Sequence, residues 1–253
     1  MGALAGRHAI VTGAGSGSGE AIALALAKEG VIVTALGRRL APLEALATKA
    51  GGIFPAVADV TDRKGLGEAI AAAAARHGAP SLVVANAGSA ESEAFTRTSE
   101  ALFRKIIDVN LTGVFNTFQA SLESMDMKAP GQLVAIASTA SLKGYPYVSA
   151  YVAAKHGVLG LVRSLALELA RSKLTVNAIC PGFMDTPMLD RSIETIAEKT
   201  GRSQDEARAS LTKINPQGRF IAPAEVAGTV LWLASDAAAS VTGQAVALSG
   251  GET

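Results

Sequence analysis

The chain has 253 residues, 49% hydrophobic and 18% charged, so it can fill a large core and is not a disordered tether. A formal net charge of +1 argues against a basic surface for nucleic acid or an anionic membrane. The lone Cys180 rules out an internal disulfide, no stretch reads as a membrane span, and the start lacks an apolar signal run, which together point to a reducing, cytoplasmic setting.

The first predicted strand is Ala9-Ile10-Val11, which runs into Thr12-Gly13-Ala14-Gly15-Ser16-Gly17-Ser18-Gly19 and a helix over 20–29. A strand over 31–35 and a helix over 40–49 follow, then a strand over 53–58 and a helix over 64–76. Next come a strand over 81–84, one long helix around 101–124, a strand over 132–137 and the helix of Tyr151 over 149–170. A strand over 175–179, a helical insertion over 186–220, a helix over 225–234 and a strand over 245–248 complete the chain. This alternation predicts the α/β class: a single-domain, Rossmann-like, doubly wound parallel sheet of about seven strands with helices on both faces. The strands are almost wholly apolar, as a sheet covered on both sides requires. No linker divides the chain, so 1–253 reads as one domain. Within the 186–220 insertion, Met188, Leu189, Ile193, Ile196, Leu211 and Ile214 form an apolar stripe. It suits either a substrate lid or fixed packing on the domain.

The glycines after the first strand permit a tight turn and let the backbone approach a pyrophosphate at a helix N-terminus. Gly13, Gly17 and Gly19 do not have G-x-G-x-x-G spacing, so a plain tight turn is the rival reading. The second strand ends Ala35-Leu36-Gly37-Arg38-Arg39. The acid that would bind a ribose 2′-hydroxyl is missing there, and Arg38 and Arg39 offer charged forks to a 2′-phosphate, with Ser16 as a further donor; the rival reading leaves both arginines solvated at the start of a helix. NADP is therefore favoured over NAD.

Tyr151 and Lys155 stand one helical turn apart, Ser138 lies thirteen residues before Tyr151, and Asn110 precedes both. A free tyrosine titrates at about 10 and is a poor base at neutral pH. A lysine ammonium one turn away stabilises phenolate, so the pair suits general acid–base work, with Ser138 holding the same substrate oxygen.

Taken in order, these motifs resemble the short-chain dehydrogenases/reductases over essentially the whole length. Thr12-Gly13-x-x-x-Gly17-x-Gly19 is similar to their cofactor loop, Asp59-Val60 to their adenine-contacting pair, and Asn86-Ala87-Gly88 to their N-A-G motif. Asn110, Ser138, Tyr151 and Lys155 match their catalytic tetrad. Pro181, Gly182 and Thr186, with Met184 between them, match the segment that holds the nicotinamide carboxamide. Ser18 stands where an isoleucine is usual, and Ala85 where an asparagine is. The resemblance implies that Lys155 also binds the nicotinamide ribose and that Asn110 holds a water linking Lys155 to solvent. It implies a dimer built on the two long helices, doubled into a homotetramer through the strand over 245–248.

The implied reaction interconverts a secondary alcohol and a ketone with NAD(P). Leu142, Tyr145, Tyr147, Phe183, Met184 and Met188 would line an apolar pocket, and the chain resembles 3-oxoacyl-thioester reductases and 3-hydroxyacyl dehydrogenases in particular. The alternatives are a general secondary or alicyclic alcohol dehydrogenase and, from another class, a non-catalytic nucleotide-binding protein, which the intact Tyr–Lys pair disfavours. His8, His77, His156 and Cys180 lack metal-ligand spacing, so no metal is expected.

Overall fold

A computed structural model describes residues 4–253. Strands β1 (His8–Thr12), β2 (Ile32–Gly37), β3 (Ile53–Val57), β4 (Leu82–Ala85), β5 (Gly131–Ile136), β6 (Leu174–Pro181) and β7 (Ala245–Leu248) form one parallel sheet in the order β3-β2-β1-β4-β5-β6-β7. Helices α1 (Gly17–Lys28), α2 (Leu40–Ala47) and α3 (Arg63–His77) connect the first four strands. Helices α4 (Glu100–Ile107) and α5 (Gly113–Leu122) precede β5, and α6 (Ser149–Glu168) precedes β6. Between β6 and β7 lie α7 (Pro187–Thr200), α8 (Gln204–Thr212) and α9 (Pro223–Leu233).

Strand residues divide by parity between two cores. Ala9, Val11, Val84, Val134 and Ile136 pack on one face with Ile22, Leu26, Val226 and Val230 from α1 and α9. Ile10, Val83, Ala85, Leu133 and Ala135 pack on the other with Leu66, Phe118, Val158 and Val162 from α3, α5 and α6. Burying one large aliphatic side chain contributes about 1.5–3 kcal/mol. A one-residue slip would exchange every pair of faces, so packing pins the register. The strand order reverses between β1 and β4, and ligands of such sheets collect in the crevice at the strands' carboxyl ends there.

The helix predicted around 101–124 is not continuous. A π-helical turn, Asp108–Thr112, separates α4 from α5. Its wider winding gives the Ile106 carbonyl a different partner, the Asn110 side-chain amide at 2.9 Å. The 186–220 insertion forms two helices with a core of their own. Leu189 and Ile193 of α7 meet Ala207 and Leu211 of α8, with Phe183, Ile196, Ile214 and Phe220 at the margin. Ser203 starts α8 with a reciprocal capping box to Glu206.

Candidate active site

The glycine-rich turn is built for close approach. Gly13 has φ 65°, and a Cβ there would lie 2.8 Å from the Ala87 backbone. A Cβ on Gly19 would run into the Gly13 carbonyl. Ser16 precedes α1 in extended conformation and makes no side-chain cap, so the first N–H groups of the helix face the crevice without a protein partner. This arrangement fits a pyrophosphate. Asn86 ties the turn to β4: its side-chain amide donates to the carbonyls of Thr12 (3.0 Å) and Gly13 (3.3 Å). The backbone N–H groups of Asn86 and Ala87 both donate to Thr12 Oγ1. Ser18, the departure noted above, donates to Asn86 Oδ1 at 2.7 Å, so its hydroxyl orients that amide in place of a purely apolar contact.

Around the crevice, Arg38 is exposed beyond Gly37 at the end of β2. Asp59 is occupied by its own turn, accepting from the Thr61 N–H and hydroxyl. The Val60 side chain is 7% exposed and belongs to the core. Pro181 and Gly182 close β6, with the Gly182 N–H held by the Leu248 carbonyl at 2.9 Å. Met184 pairs with Ile221. Thr186, before α7, brings its methyl to 3.2 Å from where a Gly17 Cβ would stand, so the insertion begins directly over the glycine-rich turn.

All four predicted catalytic side chains converge beyond β4 and β5. Asn110 is fully buried, donates to the carbonyls of Ser89 (2.8 Å) and Ile106 (2.9 Å), and accepts from the Ser89 N–H (3.2 Å). A Cβ on Gly88 would lie 2.9 Å from Asn110 Oδ1 and 3.9 Å from Lys155 Nζ, which places those three residues together. Ser138 starts a short 3-10 turn, Thr139–Ser141, and its Oγ accepts from the Ala140 N–H at 3.1 Å. A hydroxyl that accepts there keeps its hydrogen for another acceptor.

Lys155 is buried, donates to the Ile136 carbonyl at 2.9 Å, and lies over the Tyr151 ring at 5.6 Å. Burial lowers its pKa to about 8, partly opposed by Cys180. The expected lowering of Tyr151 by Lys155 is not what the packing produces. Burial raises the Tyr151 pKa, and the relief comes from the Ser138 hydroxyl. The phenol is thus a proton donor at neutral pH. Cys180 is buried in the core beneath, as a small apolar residue would be. His8 is also structural, with its ring nitrogens placed on the Gly78 carbonyl (2.7 Å) and Thr34 Oγ1 (2.8 Å). Among the described residues no cluster of His, Cys, Asp or Glu could hold a metal.

Of the predicted pocket residues, Tyr145 and Phe183 meet edge to face at 6.2 Å. Tyr147 is 67% exposed and adopts φ 66°, its carbonyl accepting from the Glu93 N–H at 2.8 Å. Sequence reasoning missed Glu93, Lys199 and Glu252. Lys199 of α7 reaches the Ser92 carbonyl (2.8 Å) and Glu93 (3.5 Å), so Glu93 connects the mouth loop, the Tyr147 loop and the insertion. The Gly250-Gly251 pair was the available signal for a turn that returns Glu252 to the site.

Residues 7–197 match the family model described as short chain dehydrogenase. The chain belongs to the short-chain dehydrogenase family. Its relatives include a D-beta-hydroxybutyrate dehydrogenase of Rhizobium meliloti, 36% identical and covering 97% of this chain and 98% of that one. A 3-oxoacyl-[acyl-carrier-protein] reductase of Thermotoga maritima is also 36% identical, with 98% of each chain covered. In structure, a variant actinorhodin polyketide ketoreductase with NADPH superposes with a TM-score of 0.95, at 36% identity over 100% of this chain and 99% of that chain. This short-chain dehydrogenase is therefore an NAD(P)-dependent oxidoreductase acting between CH–OH and keto groups. Among its described residues no helix is long and apolar enough to cross a membrane.

Proposed function

We propose that the protein reduces the ketone of a 3-oxoacyl thioester to the 3-hydroxyacyl product with NADPH, and catalyses the reverse oxidation. The observation that carries this reading is the convergence of Ser138, Tyr151, Lys155 and Asn110 beside the glycine-rich crevice. The apolar wall of Tyr145 and Phe183, and the ketoacyl reductases among the relatives, support the substrate class.

Gly13, Gly17 and Gly19 with the open α1 N-terminus would hold the pyrophosphate, Arg38 the 2′-phosphate, and Lys155 the nicotinamide ribose. The bound nicotinamide supplies the hydride that the carbonyl carbon receives. Ser138, beside the Tyr151 phenol, hydrogen-bonds the carbonyl oxygen and fixes its position. Tyr151 transfers its phenolic proton to that oxygen as it becomes an alcohol. The Ser138 hydroxyl relieves the phenolate left behind, with the Lys155 ammonium lying over the ring. Asn110 holds the backbone of Ser89 and, with Lys155, offers the route by which the proton is restored. In the reverse direction the phenolate accepts the alcohol proton. Helices α7 and α8 act as a lid over the crevice, with Leu189 and Ile193 taken up in the lid's own core. The assembly is a homotetramer, the compartment cytoplasmic.

Purified protein with NADPH or NADH, an acetoacetyl thioester and a series of neutral ketones tests this at the nicotinamide absorbance. NADPH-dependent reduction is expected, fastest with the thioester. No turnover of any neutral ketone overturns it.

A further inference from the structure

Glu252 stands beyond the carboxyl end of β7, beside Gly182 at the end of β6. Its side chain is 2% exposed, and it is ion-paired to Lys143 at 3.0 Å. It also accepts a hydrogen bond from the Tyr145 hydroxyl, which lies 2.6 Å from Thr139 Oγ1. Its second oxygen, Oε2, has no partner among the described residues and stands 3.1 Å from where a Gly182 Cβ would be. A buried carboxyl oxygen without a partner is costly, and the Lys143 and Tyr145 contacts at the other oxygen offset part of that cost.

The backbone that delivers it is specific. Gly250 (φ 61°) and Gly251 (φ 93°) turn the chain after β7 through a left-handed path that side chains resist. Asn215, beyond α8, packs on Gly250 so closely that a Cβ there would clash. The tail is thereby wedged between the lid and the segment that joins Ser138 to Tyr151.

That segment is one wall of the site. Over residues 139–150 its single charged side chain is Lys143. The ammonium is 38% exposed, lies over the Tyr145 ring at 5.1 Å, and Tyr145 in turn meets Phe183. Tyr145 also lies close enough to Tyr151 for the charge of one to be felt by the other. Left alone, Lys143 would be the natural partner of a carboxylate entering the site. Glu252 already occupies it.

The geometry points to Glu252 as a specificity-determining residue that neutralises Lys143, so that the site selects neutral 3-oxoacyl groups and rejects free 3-oxo acids. This rests on the proposed ketone reduction. Among the described residues the polar partners of Glu252 are Lys143 and Tyr145 rather than the catalytic side chains, so it acts through those two. It separates a thioester from the free acid of the same chain, a choice the catalytic tetrad does not make.

The test compares wild type, Glu252→Gln, and Glu252→Gln combined with Lys143→Ala, using NADPH with the acetoacetyl thioester of N-acetylcysteamine and with free acetoacetate. Wild type is expected to prefer the thioester. Glu252→Gln should raise the acid-to-thioester ratio of kcat/KM about tenfold or more, the size of one charge-assisted contact. Removing Lys143 as well should abolish the rise. A gain on the acid cannot come from misfolding, and if Glu252→Gln does not fold, deletion of residues 252–253 frees the same lysine and carries the same expectation. An unchanged ratio, a rise that survives loss of Lys143, or a wild type that uses the free acid as readily as the thioester overturns the assignment. Neutral ketones that react while the ratio stays fixed refute Glu252 alone, whereas no turnover of any neutral ketone refutes the reduction itself.

Discussion

Tyr151 and Lys155 carry opposite pKa shifts from the same cause. Burial disfavours whichever form is charged, so the phenol is raised and the ammonium lowered, to about 8. A phenol kept protonated suits ketone reduction. Reduction should therefore fall as pH rises through about 8, where Lys155 loses its proton, while alcohol oxidation should gain only at more alkaline pH, because burial keeps the Tyr151 phenol protonated. Tyr151→Phe should lower turnover about 10²–10⁴-fold with little change in NADPH affinity by fluorescence titration. A variant with near-wild-type turnover would remove Tyr151 from the mechanism. At the other end of the crevice, Arg38 is exposed at the end of a strand that offers no acid. Arg38→Asp should weaken NADPH binding about tenfold and shift preference toward NADH. A wild type that already favours NADH refutes that role. The structure places the four proposed catalytic side chains near one another, and the order and spacing that single them out were legible in the sequence. The direction of the Tyr151 shift was not, because spacing on a helix says nothing about how far the pair is removed from water.

At the scale of elements, the π-helical turn and the insertion matter most. The turn at Asp108–Thr112 puts Asn110 where its amide can hold the Ile106 and Ser89 carbonyls. Its residues carry no mark that separates π from α winding, so a continuous helix was the natural reading. The insertion's apolar stripe was legible, but its destination was not. Leu189, Ile193 and Leu211 face one another across α7 and α8, so the pair moves as a unit if it moves. Its attachment at the mouth is Lys199 to Ser92 and Glu93, and the Arg208–Asp185 pair at 2.9 Å is similarly exposed. Exposed pairs are screened by water, so these two do little to hold the insertion in place, and its apolar contacts with Phe183 and Phe220 carry most of the attachment. Hydrogen exchange over 187–212 should be faster than in the sheet and should slow markedly when NADPH and substrate are added. Equal, strong protection with and without ligand would leave only a rigid pair. Lys199→Ala should speed exchange there while leaving β1 and β4 unchanged.

For the whole molecule, apolar surface remains on the two helices expected to pair. Phe103 is 43% exposed, Phe115 44% and Leu167 80%. The edge strand β7 has one neighbour, β6, and its residues are only partly covered. A second copy against α4, α5 and α6, and another against β7, would cover both surfaces in a symmetric tetramer. Light scattering at micromolar concentration should report four chains, and Leu167→Glu should lower that mass. A monomeric wild type would remove the assembly.

The alternation of apolar strands with helices was enough to specify a doubly wound sheet, because a strand buried on both faces has no polar residues to spare. The ordered motifs from Thr12 to Thr186 were enough to single out the glycine-rich turn and the four proposed catalytic side chains, which the structure gathers at neighbouring strand ends. Contacts between distant parts of the chain were beyond such reading. Glu252 meets Lys143 and Tyr145 from across the sequence, and Lys199 meets Glu93 likewise. No local period records those meetings. They arise only when packing of the sheet brings the end of β7 beside the segment of Lys143, and the α7–α8 insertion beside Glu93, because such contacts depend on the tertiary fold and not on local spacing.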